Sequence, residues 1–185
     1  MIRRRLAVNF NQTLDLRHLT SETARLLAQV DSRNYAFTRR MYYFSLNSAA
    51  HLRLVRRRLE MLRGVKRPEM TFVCMYGFDT TLSEDIERFR FLKQMRVLPF
   101  VQEYLPIGPS RPSLNGYFDC DPEPLSRLHF PRNGRNFEGF LKWVSRQYAL
   151  RFGKLHMPLV DRIFQYNYRE RKQHYVDTLA GTSRP

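Results

Sequence analysis

The sequence predicts an α/β fold whose consecutive strands run parallel, in the order β-α-β-α-β-α-β, followed by a helical extension. Three observations predict it. Between Thr71 and Pro106 the apolar period changes twice, from the continuous run Phe72 to Tyr76, to the helical stripe Leu82, Ile86, Phe89, Leu92 and Met95, and back to Leu98 to Val101. A strand, a crossover helix and a second strand read this way. The same alternation of short apolar runs and amphipathic stripes occurs twice upstream. The helices are long enough to carry the chain across a sheet, which makes the strands they join parallel.

In order, Arg5 to Phe10 reads as the first strand, and Ser21 to Val30 as a helix capped by Thr20. Met41 to Leu46 is the second strand. In Ser48 to Arg63 a stripe of Leu52, Val55, Leu59 and Leu62 faces inward, while Arg53, Arg56, Arg57 and Glu60 occupy the other faces. Thr81 and Glu84 form a capping box that starts the next helix. Glu84, Asp85 and Glu87 then lie near its positive end, with Lys93 and Arg96 near its negative end. From Ile107 the composition shifts: Pro109, Pro112, Pro122, Pro124 and Pro131, with Gly108, Gly116 and Gly134, read as a long loop without regular structure. A helix follows from about Phe137 to Phe152, with Phe137, Phe140, Leu141, Val144 and Tyr148 on one stripe and Trp143 beside it. A basic, Tyr-rich helix is expected from Pro158 onward. The resulting division is 1–106, 107–135 and 136–185.

Composition narrows the function classes. A chain of 185 residues with 43% hydrophobic and 14% aromatic content can bury a core. No run approaches the roughly 18 apolar residues of a membrane helix, and no apolar signal core follows Met1, so a cytoplasmic protein with no membrane partner is expected. Cys74 and Cys120 are too few and wrongly spaced for a zinc site, a disulfide framework or an iron–sulfur cluster held by this chain alone. The net charge is +15, and residues 1–65 hold 13 Arg against four acidic residues. That asymmetry suits a nucleic-acid partner. A solvated helix face accounts for it as well, because the arginines follow helical geometry.

In parallel α/β folds ligands bind where strands end and helices begin. The residues there are Asn11, Gln12, Asp15 and Arg17 after the first strand, Ser45 and Asn47 after the second, Gly77 and Asp79 after the third, and Gln102, Glu103 and Tyr104 at the fourth. For Asp15 and Arg17, an ion pair or cap supporting a loop stands beside ligand contact as a reading. The histidines, His18, His51, His129, His156 and His174, have no spacing that suggests a triad or a metal site.

The series Asn9-Phe10-Asn11-Gln12-Thr13-Leu14-Asp15-Leu16-Arg17, with Leu19-Thr20 opening a helix, resembles the FNQGLDAR-x-L strand and helix of a group of radical S-adenosylmethionine proteins. Tyr76-Gly77-Phe78-Asp79-Thr80-Thr81 with Glu84-Asp85, then Pro99-Phe100, resembles the group's late strand and helix. Phe140, Trp143 and Val144 are similar to its F-x-x-W-V helix. The resemblance covers roughly residues 6 to 150 in the right order. It implies a parallel-strand half-barrel, the C-terminal half of a partial (β/α)6 barrel, with Asn11, Gln12, Asp15, Arg17, Gly77 and Gln102 as its cofactor contacts.

Three departures accompany it. The family's Cys-x3-Cys-x2-Cys loop is absent, Thr13 stands where the family has Gly, and Ser45-Leu46-Asn47 replaces a more acidic strand end. S-adenosylmethionine and a [4Fe–4S] cluster are thus implied for an intact family protein, and neither cluster nor catalysis is expected of this chain alone. The expected reading is a truncated or split product, partnered by a chain carrying the missing N-terminal half-barrel, with Arg3, Arg4 and Arg5 protecting an open sheet edge. Two further readings stand beside it: a structural partner that completes another chain's barrel, and a basic nucleic-acid-binding α/β module using the Tyr166 to Tyr175 run.

Overall fold

The structure, a computed structural model, describes residues 6–10, 12–77, 79–105, 114–130 and 134–165 of the chain. Arg3 to Arg5, Asn11 and the Tyr166 to Tyr175 run lie outside the described residues. Strands β1 (Ala7–Val8) and β2 (Asp31–Ser32) make a two-stranded parallel sheet. Strands β3 (Tyr42–Ser45), β4 (Met70–Tyr76) and β5 (Leu98–Glu103) make a three-stranded parallel sheet in that order. Helices α1 (Ser21–Gln29), α2 (Leu52–Met61) and α3 (Leu82–Gln94) lie between strands; α4 (Glu123–Ser126) and α5 (Gly134–Phe152) follow, then a helical stretch over 157–165.

Helix starts follow from their caps. Thr81 N donates to Glu84 Oε2 at 2.8 Å while Glu84 N donates to Thr81 Oγ1 at 3.4 Å, a pairing of the kind that stabilises a helix by about 0.5–2 kcal/mol. Thr20 caps α1 through a reciprocal exchange with Thr23, at 2.8 and 3.1 Å. Ser48 Oγ accepts from Ala50 N at 3.2 Å and opens the short turn that runs into α2.

The first strand departs from expectation. Among the described residues of Arg5 to Phe10 only Ala7–Val8 is strand, and it pairs with β2 rather than with β3. The main sheet is reached instead by Leu14, which bridges Phe44 in parallel; Leu14 N donates to Tyr43 O at 2.8 Å and Ser45 N to Leu14 O at 3.2 Å. The cause is the turn between β2 and β3. Asn34 Oδ1 accepts from Thr38 N at 2.9 Å and Arg39 N at 3.2 Å, and Phe37 takes a φ of 54°. This side-chain-held turn inserts a short strand ahead of β3. A second departure is α4, a helical turn inside the 107–135 segment read as structureless.

The main sheet is covered on one face. Phe44, Phe72, Cys74 and Val101 are buried in one cluster with Val55 and Leu59 of α2, Ile86, Phe89 and Leu92 of α3, and Phe137, Phe140, Leu141 and Val144 of α5. Successive strand residues point to opposite faces. On the other face, toward the strands' carboxyl ends, Tyr43, Ser45, Val73, Met75 and Phe100 are half-buried and Gln102 is exposed. Parallel sheets ordinarily have both faces covered; among the described residues this face is left open.

Candidate functional site at the strand ends

Two cavities flank the open face of β4. The first, of about 370 Å³, is lined by Asp15, Arg17, Ser45, Asn47, His51 and Asp79, with Leu46, Val55 and Met75 as its apolar floor. Its polar side chains come from loops held in place by the backbone. Asn47 Oδ1 accepts from Met75 N at 3.1 Å, which ties the loop after β3 to the end of β4.

Asp15 caps the turn Leu16–His18 by accepting from Arg17 N at 2.9 Å, and its carboxylate also takes a two-pronged grip from Arg17, with Nε at 2.9 Å and Nη2 at 2.6 Å from Oδ2. Asp15 and Arg17 therefore form the ion pair and cap, and both line the cavity. The Arg17 side chain beside it holds the Asp15 carboxyl down at about 2. In the folded chain that depressed value makes a contribution to stability that is present above 3.8 and lost as pH falls through about 2. It is a small one, since the Arg17 side chain is 50% exposed and solvent screens the pair. Carboxyl chemical shifts followed by NMR should show Asp15 titrating near pH 2, and Arg17→Ala should return it toward 3.8.

The second cavity, of about 330 Å³, is lined by Asn9, Phe10, Gln12, Thr13, Tyr35, Tyr43, Val73, Phe100 and Gln102. Of the expected contact residues, the structure thus brings Asp15 and Arg17 together in one cavity and Gln12 and Gln102 together in the other. Gly77 belongs to neither. It turns the chain out of β4 with a φ of +77°, and a Cβ there would lie 3.1 Å from Trp143 Cζ2, so a glycine is required for the close approach of the indole. Trp143 Nε1 in turn donates to Glu103 Oε1 at 3.1 Å. Asn11 lies outside the described residues.

Next to the first cavity is a buried polar group of which the sequence marks only Asp85, as helix-end charge, and not Arg88. Asp85 and Arg88, both fully buried, form an ion pair. Arg88 Nη1 donates to Leu46 O at 2.7 Å and Nη2 to Met75 O at 2.8 Å, the carbonyls at the ends of β3 and β4, while Tyr117 Oη donates to Asp85 Oδ2 at 2.7 Å. Burial pushes the Asp85 carboxyl up, against the pull of Arg88 and the Tyr117 hydroxyl; burial, with Asp85 alongside, pushes the Tyr117 phenol well above its ordinary value.

Burial pushes the Cys74 thiol up to about 12, and burial and Asp119 raise Cys120, so neither is an activated thiolate. Among the described residues no group of three or more His, Cys, Asp or Glu side chains is placed to hold a metal ion, and no helix is long and apolar enough to cross a membrane. No family model, no curated protein and no solved structure matches the chain.

Proposed function

We propose that this chain is the C-terminal half of a radical S-adenosylmethionine-like barrel. Its strand ends form one wall of a ligand site, and it is not catalytic without the other half. The observation that carries the reading is the sheet formed by the described residues: parallel segments in chain order, from Leu14 through β3, β4 and β5, with helices on one face, one hollow on the other and a second hollow at the strand ends. A half-barrel has this form, since its inner face is closed only when further strands complete the ring. The partner on this reading is the missing N-terminal half.

The two implied groups fare differently against the residues present. A [4Fe–4S] cluster needs three thiolates, and the chain offers two cysteines, one of them buried in β4. The cluster does not fit, and no step through it is assigned to this chain. The first cavity suits the hydroxyl and ammonium groups of a nucleoside-type cofactor better: Asp15 stays ionised, and Ser45, Asn47 and His51 add hydrogen-bonding groups around it. When bound in an intact family protein, S-adenosylmethionine supplies the radical chemistry; these side chains would do no more than hold and orient it.

Anaerobic reconstitution with iron and sulfide should leave the purified chain without a stoichiometric cluster. A reducible cluster signal in electron paramagnetic resonance that survives desalting would sink the non-catalytic half of the proposal. Calorimetric titration with S-adenosylhomocysteine tests the other half. Saturable heat that disappears in Asp15→Asn is expected, and the absence of heat at saturating ligand would overturn the cofactor-wall reading.

A further inference from the structure

We infer that the second cavity is a binding site for an unpaired nucleobase, presented by a single strand of nucleic acid, with the ring against Tyr35, Tyr43 and Phe100 and its edge read by the Gln12 and Gln102 amides. The inference goes beyond the half-barrel reading and does not depend on it. Four aromatic side chains, Phe10, Tyr35, Tyr43 and Phe100, line one hollow of about 330 Å³ on a sheet face that no element covers among the described residues. That volume lies within the range of small-ligand sites, roughly 300–1,000 Å³. Tyr35 is 85% exposed. A large ring held that far out at the rim of an aromatic hollow gains nothing for the fold, and gains a great deal once a second ring lies on it.

The polar groups select among flat ligands. Gln12 and Gln102 have no side-chain hydrogen bond among the described residues, and each amide offers a donor and an acceptor side by side. Asn9, which also lines the hollow, donates its amide to Arg33 O at 2.6 Å. Paired donors and acceptors of this kind match the edges of nucleobases, as amide side chains do when they read adenine. A purely hydrocarbon ring would leave the amides unpaired.

Charge decides how the base arrives. The hollow is open-sided, so a strand's sugar and phosphates would remain outside it, in the field of a chain with net charge +15. Arg39 is exposed, has no side-chain partner among the described residues, and lies close enough to Tyr43 to act on its phenol. Sheet faces bearing exposed rings bind single strands in this manner, with the bases stacked on the sheet and the backbone followed by cations.

The test is an anisotropy titration of labelled homopolymeric RNA and DNA oligonucleotides with the full chain, from low to high salt, alongside free nucleosides and a duplex. Single strands are expected to bind with a component that survives high salt. Tyr35→Ala should remove that component, weakening binding roughly 5- to 150-fold, and its exposure makes it a substitution the fold tolerates. Gln102→Ala should change the ranking among the four bases, and Arg39→Ala should flatten the salt dependence by about 0.7 in log–log slope. A free nucleoside binding as tightly as the strand would support the nucleobase site and reassign its source to a small molecule. Unchanged affinity in Tyr35→Ala, equal binding of the duplex, or a loss explained by salt alone would each overturn the inference.

Discussion

Replacing Arg88 by methionine is expected to cost the fold about 3–5 kcal/mol, the range for stripping one partner from a buried ion pair. Methionine fills much of the same space, so lost volume is a minor part of the effect. What remains behind is the problem: an uncompensated Asp85 carboxylate, and the carbonyls of Leu46 and Met75 without their donors. The pH dependence separates this from a packing defect. Without the cation, burial holds the Asp85 carboxyl above its ordinary 3.8, so the folded variant binds a proton more readily than the unfolded chain. Stability of the variant therefore falls as pH rises above 3.8 and is regained as pH is lowered toward it. Denaturant midpoints of Arg88→Met measured between neutral and mildly acid pH should show that recovery, and Asp85→Asn added to Arg88→Met should regain part of the loss at neutral pH. A cost below about 1 kcal/mol, or one independent of pH, would show that the pair does not hold the strand ends.

That ion pair also marks the limit of what the sequence discloses. Elements whose cause lies within one turn of chain were legible: the Thr81–Glu84 box, Thr20 as a cap, the α2 stripe of Leu52, Val55, Leu59 and Leu62, and the period changes that bound β4, α3 and β5. Each rests on neighbours three or four residues away, or on alternation by two. The partners of Arg88 are 42 and 13 residues distant, and Tyr117 is 32 residues from Asp85. Nothing in local periodicity distinguishes a charge on the flank of a stripe that will find such partners from one that will face water. The short strand β2 was hidden for a related reason: it is stabilised by the Asn34 turn and by pairing across to Val8, not by a hydrophobic run of its own. For the candidate site, the division of the strand-end residues into an Asp15–Arg17 cavity and a Gln12–Gln102 cavity is a tertiary outcome, since each cavity draws its lining from segments far apart in the chain. The role of Gly77 was likewise set by Trp143, some sixty-six residues on in the chain.

Phe140→Ala is expected to cost about 3–5 kcal/mol, as large aromatic truncations in a closed core do. Phe140 is completely buried, with ring centroids of Tyr76 at 4.8 Å, Phe89 at 5.1 Å, Phe137 at 5.9 Å and Trp143 at 6.4 Å. Those partners come from β4, α3 and α5, so the substitution opens a void where three elements meet. Neighbouring rings cannot easily collapse into it, because they already contact one another edge to face and Trp143 is held by Glu103 and against Gly77. The consequence concerns organisation as well as stability. If α5 is part of the core that the sheet is built on, thermal unfolding of Phe140→Ala should remain one transition, shifted to lower temperature, whether followed by helix signal or by the fluorescence of Trp143, the chain's one tryptophan. If α5 is instead an appended helix, the same variant should lose the tryptophan transition early and leave the transition of the sheet where it was. The ring contacts of Phe140 with Tyr76 in β4 and Phe89 in α3 favour the first outcome, since the void would then weaken the very packing that positions the ends of β4 and β5 and, with them, the walls of both cavities.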